Sequence, residues 1–366
     1  MRPAFDSPGQ AIAFSVLLAL VLLSPILAVR KILPPRAAAY TVEDWRTGTY
    51  PWIYHQIFEQ TNDFDMVFMG SSHLGWAIET PAVQRTLSAK LGREAMVNTL
   101  CWGGGGYDAL YYIAQDLLDH HRVKMLVFYD QNCGPNHYDP MPFWFRFGDN
   151  ADDLSGLTPL DWAHYYAGSI MGMPRNILSL CRPSLPGDIN APNVYKSLYN
   201  SPNPATQLGA VSQRVTDDSK RPYISFTPQN GVKSTETLIY SDATKTNFLF
   251  SPAPLPKVQA HFARKFLELA RGHGCKLVLV HIPVLAESRQ HGIPENHFWR
   301  ETGQADVPIV GIPAERFFAG LTQKQCEQLY GDPSHLSENG QKYYTSLISP
   351  ALLKLYEEIP VAGANH

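Results

Sequence analysis

Asp332-Pro333-Ser334-His335 sets a carboxylate and an imidazole three residues apart near the end of a 366-residue chain. At that spacing the acid reaches and orients the ring, and a ring held this way acts as a general base. A base needs something to activate. Gly70-Ser71-Ser72-His73, far upstream and just past an apolar run, supplies a hydroxyl. Together they point to acyl or ester chemistry. Ser72 attacks a carbonyl, His335 takes its proton and returns it to the leaving oxygen, and Asp332 holds the ring's tautomer. The oxyanion that forms needs preorganised donors. Candidates are the backbone N–H groups of Ser72 and Gly103 and the side-chain amide of Asn132. His73 either lines the pocket or is a plain loop residue. Asp130 either contacts substrate or accepts backbone hydrogen bonds.

These residues need elements to bring them together. Asp65–Gly70, Ala95–Cys101 and Lys124–Asp130 read as short apolar strands, and residues 80–92 and Tyr107–His120 as helices between them. Strands without clean alternation, separated by helices, imply a parallel sheet covered on both faces. In such a sheet the carboxyl ends of the strands share one edge, where ligands bind. Ser72, Gly103 and Asn132 would therefore converge. The α/β pattern returns with a helix over Val258–Arg271, a strand over Cys275–Pro283 and another over Val307–Gly311. A final helix starts near Ser337, with Pro350 expected to kink or divide it. Between about Cys133 and Leu255 no such alternation holds. A structureless loop of that length is improbable, so the stretch reads as an inserted cap or subdomain. Its aromatic clusters, at 141–147 and 162–166, line a groove, rest against a membrane or form the insert's own core. His281, at a strand end, reads as a core histidine.

The N-terminus differs from the rest. Ala11–Val29 carries no charged residue and as a helix would rise about 28 Å, close to the hydrocarbon thickness of a bilayer. A single membrane anchor is the expectation. A signal peptide cleaved at Ala37-Ala38-Ala39 and a buried core helix are the competing readings, and the apolar run is long for the first. Arg30, Lys31 and Arg36 after the span, against Arg2 before it, favour a cytoplasmic domain by the positive-inside count, although large domains cross largely regardless of charge. The chain thus divides into an anchor (1–36), a connecting segment (37–64), a first α/β part (65–132), the insert (133–255) and a second α/β part (256–366).

Composition excludes several classes. A net charge of −3 gives no electrostatic footprint for nucleic acid. The five cysteines show neither a Cys-x-x-Cys pair nor zinc spacing, and an odd number leaves at least one thiol free or paired between chains. Gly-x-Ser-x-Gly is absent because position 74 is Leu, so an α/β-hydrolase elbow is not expected. There is no Walker loop and no His-Glu-x-x-His helix. Nothing in the motifs asks for a metal or a cofactor.

Four blocks in order resemble the SGNH (GDSL-type) hydrolase superfamily. Gly70-Ser71-Ser72-His73 stands where that family has Gly-Asp-Ser-Leu, with Ser72 at the nucleophile position. Asn98 and Gly103 match the second block, and Asn132 keeps the centre of the third. Asp332 and His335 match the last in full. The likeness covers about 65–132 and 255–357. It implies a three-layer α/β domain, and, with an N-terminal helix and a large insert, it resembles proteins that D-alanylate teichoic acid or O-acetylate alginate. The implied function is transfer of an acyl group to or from an envelope polysaccharide by an extracytoplasmic domain. The implied partner is a multi-spanning membrane-bound O-acyltransferase. A stand-alone tethered lipase or esterase, and a catalytically reduced accessory protein that binds glycan or that acyltransferase, are the alternatives.

Overall fold

A computed structural model of the chain describes residues 7–32, 49–102, 106–129, 153–163, 239–240, 255–289 and 306–360, with Phe5, Ala37, Tyr40, Tyr165 and Thr302. Strands β1 (Phe64–Ser71), β2 (Val97–Trp102), β3 (Val123–Tyr129), β4 (Ile239–Tyr240), β5 (Lys276–Val280) and β6 (Ile309–Val310) form one sheet in the order β2-β1-β3-β5-β6-β4. Five of them are parallel; β4 closes the edge antiparallel to β6. The expected α/β architecture is present, with boundaries within a few residues of those read from the apolar runs.

The helices are α1 (Pro8–Ile32), α2 (Thr49–Tyr54), α3 (Ser72–Ala77), α4 (Thr80–Leu91), α5 (Tyr107–His120), α6 (Lys257–Gly272), α7 (Ala314–Phe317), α8 (Gln323–Gln328) and α9 (Glu338–Glu357). Strand residues alternate between two covered faces. Val67, Met69, Leu126, Phe128, Leu277 and Leu279 join the core beneath α5 and α6. Met66, Phe68, Met125, Val127, Val278 and Val280 join the core beneath α3, α4 and α9. Both faces being buried explains why the strands read as continuous apolar runs rather than as alternating ones.

Three further features bear on those expectations. Helix α9 runs through Pro350 as one element. Its buried face, including Tyr344, Ile348, Leu352 and Leu355, offsets the roughly 3 kcal/mol that an interior proline costs, and the Ser349 hydroxyl donates to the Thr345 carbonyl at 2.6 Å. The inserted stretch contributes β4 to the sheet, and Asp153 and Tyr165 within it dock on the α5–α6 layer. There Asp153 accepts from Tyr111 and Lys265, both at 2.8 Å, and Tyr165 stacks on Phe262. Among the described residues, finally, no helix is long and apolar enough to cross a membrane. The backbone of α1 is helical over 25 residues, but its side chains are described only to Leu20, so the expected span over 11–29 lies partly outside the described residues.

The amino end of the sheet is pinned by one carboxylate. Asp65, buried at the start of β1, accepts from Arg93 at 2.6 and 2.7 Å, Tyr356 at 2.7 Å, Lys124 at 3.0 Å and the Met96 N–H at 3.0 Å. Burial opposes its ionisation, but those donors together hold its carboxyl well below the usual range. The network joins β1, β3, the approach to β2 and the end of α9.

Candidate active site

The chain leaves β1 for β2 on one side and returns to β3 on the other, so the strand order reverses at β1/β3. In open α/β sheets that reversal opens a crevice at the carboxyl edge. Ser71 ends β1 in register with Trp102 of β2. Ser72 is the first residue of α3, a helix of six residues that strand-end reasoning did not anticipate. It lifts the Ser72 hydroxyl out of the sheet and leaves Ser71 behind in it. Helix geometry also leaves the Ser72 N–H without an intrahelical acceptor.

The base comes from a loop between α8 and α9. An antiparallel bridge, Tyr330 to Leu336, closes the loop's neck. The Ser337 N–H donates to Leu329 at 2.8 Å, the Gly331 N–H to His335 at 2.9 Å, and the Leu285 N–H to Pro333 at 3.2 Å. Inside the loop, Asp332 Oδ1 accepts from the backbone N–H groups of Ser334 and His335 at 2.8 and 2.9 Å, a turn in which the side chain stands in for backbone. Its other oxygen, Oδ2, lies 2.7 Å from His335 Nδ1. Burial opposes the charge on Asp332. The two N–H groups and the imidazole outweigh that and bring the carboxyl down to about 2. An ionised carboxylate only accepts, so in the neutral ring Nδ1 carries the proton and Nε2 a lone pair. That lone pair faces Ser72 Oγ at 2.9 Å. Ser72, His335 and Asp332 thus form one continuous relay across a sequence separation of 263 residues.

Two further aromatic residues border the relay. His73 packs its ring nearly perpendicular to His335, with centroids 4.7 Å apart, and its Nδ1 shares a hydrogen bond with the Tyr129 hydroxyl at 3.2 Å. Trp76, one turn after Ser72, lies against the His335 ring as well, at 5.4 Å between centroids. Burial, reinforced by repulsion from His335 and opposed by Asp332, lowers His73 to about 4, so it is neutral at physiological pH. His73 is therefore part of a short helix beside the base and not a loop residue. Sequence reasoning missed Tyr129 and Trp76. The first ends an apolar run at the switch point. The second stands four residues from Ser72, a spacing that signals proximity only once α3 is known to be a helix.

The remaining expectations fall differently. Gly103, Asp130 and Asn132 lie outside the described residues. Asn98 is buried in β2 and turned inward, accepting from its neighbour's N–H at 2.8 Å and donating to Gln56. His281 is buried with Nε2 at 3.3 Å from Glu287, as a core histidine. Cys101, Cys275 and Cys326 are free and buried, and burial pushes the Cys275 thiol up to about 12. Among the described residues no group of three or more His, Cys, Asp or Glu side chains is placed to hold a metal ion. No protein-family model and no curated protein matches this chain.

Proposed function

We propose that the chain is an SGNH-type serine O-acyltransferase or esterase, tethered to a membrane, that moves an acyl group to or from a cell-envelope polysaccharide. The single observation that carries the chemistry is the relay from Ser72 Oγ through His335 to Asp332, at 2.9 and 2.7 Å. In the forward half-reaction Ser72 Oγ bonds to the carbonyl carbon of an acyl donor while its proton passes to His335 Nε2. The tetrahedral intermediate collapses, the bond to the leaving oxygen breaks, and His335 protonates that oxygen. A glycan hydroxyl or water then attacks the Ser72 ester by the same steps in reverse. The Ser72 N–H, with Gly103 and Asn132, receives the oxyanion, and losing one such donor typically costs about 10²–10³ in turnover. Asp130 remains a candidate substrate contact.

The envelope setting rests on α1 and on the resemblance of the four blocks to envelope acyl-transfer proteins. Ile12, Val16, Leu17 and Leu20 of α1 are each more than half exposed. The described half of α1, apolar and exposed, suits lipid better than water. With the catalytic domain outside the cytoplasm, a multi-spanning O-acyltransferase would hand acyl groups across the membrane to Ser72.

The mechanism is tested by labelling the purified full chain in detergent with a fluorophosphonate. The expected result is one adduct per chain, located on Ser72 by mass spectrometry and absent from Ser72→Ala. No labelling of wild type, or equal labelling of Ser72→Ala, would falsify the mechanism.

A further inference from the structure

The catalytic imidazole is fixed by more than its two hydrogen bonds. Those bonds run along the ring from Nε2 to Nδ1 and locate that line, yet they leave the ring free to tilt about it. The tilt is opposed by rings that α3 itself carries. His73 stands edge-on to His335 with an interplanar angle of 81°, and Trp76 meets it at 49°. His73 is in turn held from across the switch point, by Tyr129 at the carboxyl end of β3. Nucleophile and wall thus sit on α3, directly after β1, and the anchor ends β3, the strand beside β1.

We infer that His73, anchored by Tyr129, is the positioning residue that keeps the His335 imidazole in line with Ser72. The inference rests on the proposed Ser72 mechanism and extends it to a residue that acts through the base. The residue type follows from the chemistry of the spot. A ring is needed to block the tilt, and a nitrogen is needed to meet the Tyr129 hydroxyl. A permanent cation would oppose the imidazolium that His335 becomes in the transition state. Among the described residues, the titratable groups around His73 are Tyr129 from β3 and His335 and Asp332 from the loop. Burial, the largest influence on it, keeps His73 uncharged at neutral pH.

The test is the pH profile of Ser72 labelling by a fluorophosphonate in the full chain. Tyr129→Phe, which keeps the ring and removes only the hydroxyl, is expected to lower the plateau rate about fivefold, the worth of one neutral hydrogen bond. His73→Phe is expected to match it, because it keeps the wall and loses the same bond. The double variant is expected to be no slower than either single one, since both remove one interaction. His73→Lys is expected to lower the plateau and move the acid limb of the profile downward by about one pH unit. A purely structural role would lower the melting temperatures of Tyr129→Phe and His73→Phe and leave their plateaus at wild type. Single variants with wild-type plateaus, or a double variant whose losses multiply, would overturn the inference while leaving the Ser72 mechanism standing. A wild type that is not labelled would overturn both.

Discussion

Asp332 shows how a local turn aims a side chain at a single partner. One carboxylate oxygen is consumed by the backbone of its own loop, and this frees the other to face His335 in a single direction. Replacing it with Asn puts an amide where the acceptor pair stood, so the ring loses the partner that fixes its tautomer. Asp332→Asn is expected to cut the Ser72 labelling rate about 10³–10⁴-fold while leaving the fold intact at neutral pH. The same residue contributes to acid stability. Its carboxyl, near 4 in an unfolded chain, is lowered to about 2 in the fold. The folded state therefore binds that proton less readily, and the stabilisation is complete above about pH 4 and lost as pH falls towards 2. Because the side chain is about a third exposed, the effect is small. Denaturation midpoints at pH 6 and pH 3 should fall less steeply in Asp332→Asn than in wild type.

At the scale of elements, the relay depends on how α9 docks against the loop that holds it. The Ser337 hydroxyl caps α9, accepting from the Gly340 N–H at 3.3 Å and donating to Gln328 at 2.8 Å. At Gly340 a Cβ would stand 2.0 Å from the Leu329 carbonyl oxygen, so only glycine permits the approach. Further along, Gln341 donates to the Ile78 carbonyl at 3.1 Å and Thr345 to that of Ala77 at 3.1 Å. One helix thus fixes both the loop of the base and the far end of α3. Gly340→Ala is expected to destabilise the domain by about 3 kcal/mol or more, because backbone must shift to relieve the clash. A urea midpoint drop and slower Ser72 labelling below it would be measured together; an unchanged midpoint would contradict the packing. Much of this scaffold is legible in the sequence. The strands are apolar runs, and α4, α5 and α6 fall almost where their patterns place them. The Asp-x-x-His pair and the upstream serine declare themselves by type. Helix α3 does not, because six residues that include Gly75 are too few to show a helical period. Tyr129 is silent for another reason. Its role follows from strand order, which brings β3 beside β1, and strand order is not written in any local pattern. Strand β4 is two residues long and pairs only because β6 is there to receive it.

The whole molecule joins a serine relay at one edge of a sheet to an apolar helix at the other extreme of the chain. The two are coupled if the acceptor is a surface-bound polymer, because a tether holds the site near its substrate without any contact between them. The first half of α1 supplies the physical handle. Ile12, Phe14, Val16, Leu17, Leu18 and Leu20 are all exposed, and Ala11–Val29 contains no charge to interrupt them. Transferring an arginine to the centre of a spanning helix costs about 2.5–3.5 kcal/mol on the insertion scale, so two together oppose insertion by more than one alone. The double variant Leu17→Arg with Leu20→Arg is therefore expected to leave the membrane pellet in alkaline carbonate, where the wild-type chain stays. Both positions are remote in sequence from Ser72, His335 and Asp332, and neither belongs to the two cores that flank the sheet. The released protein should accordingly keep wild-type Ser72 labelling. Wild-type chain extracted by carbonate would remove the tether from the proposal and leave the serine chemistry to be judged by labelling.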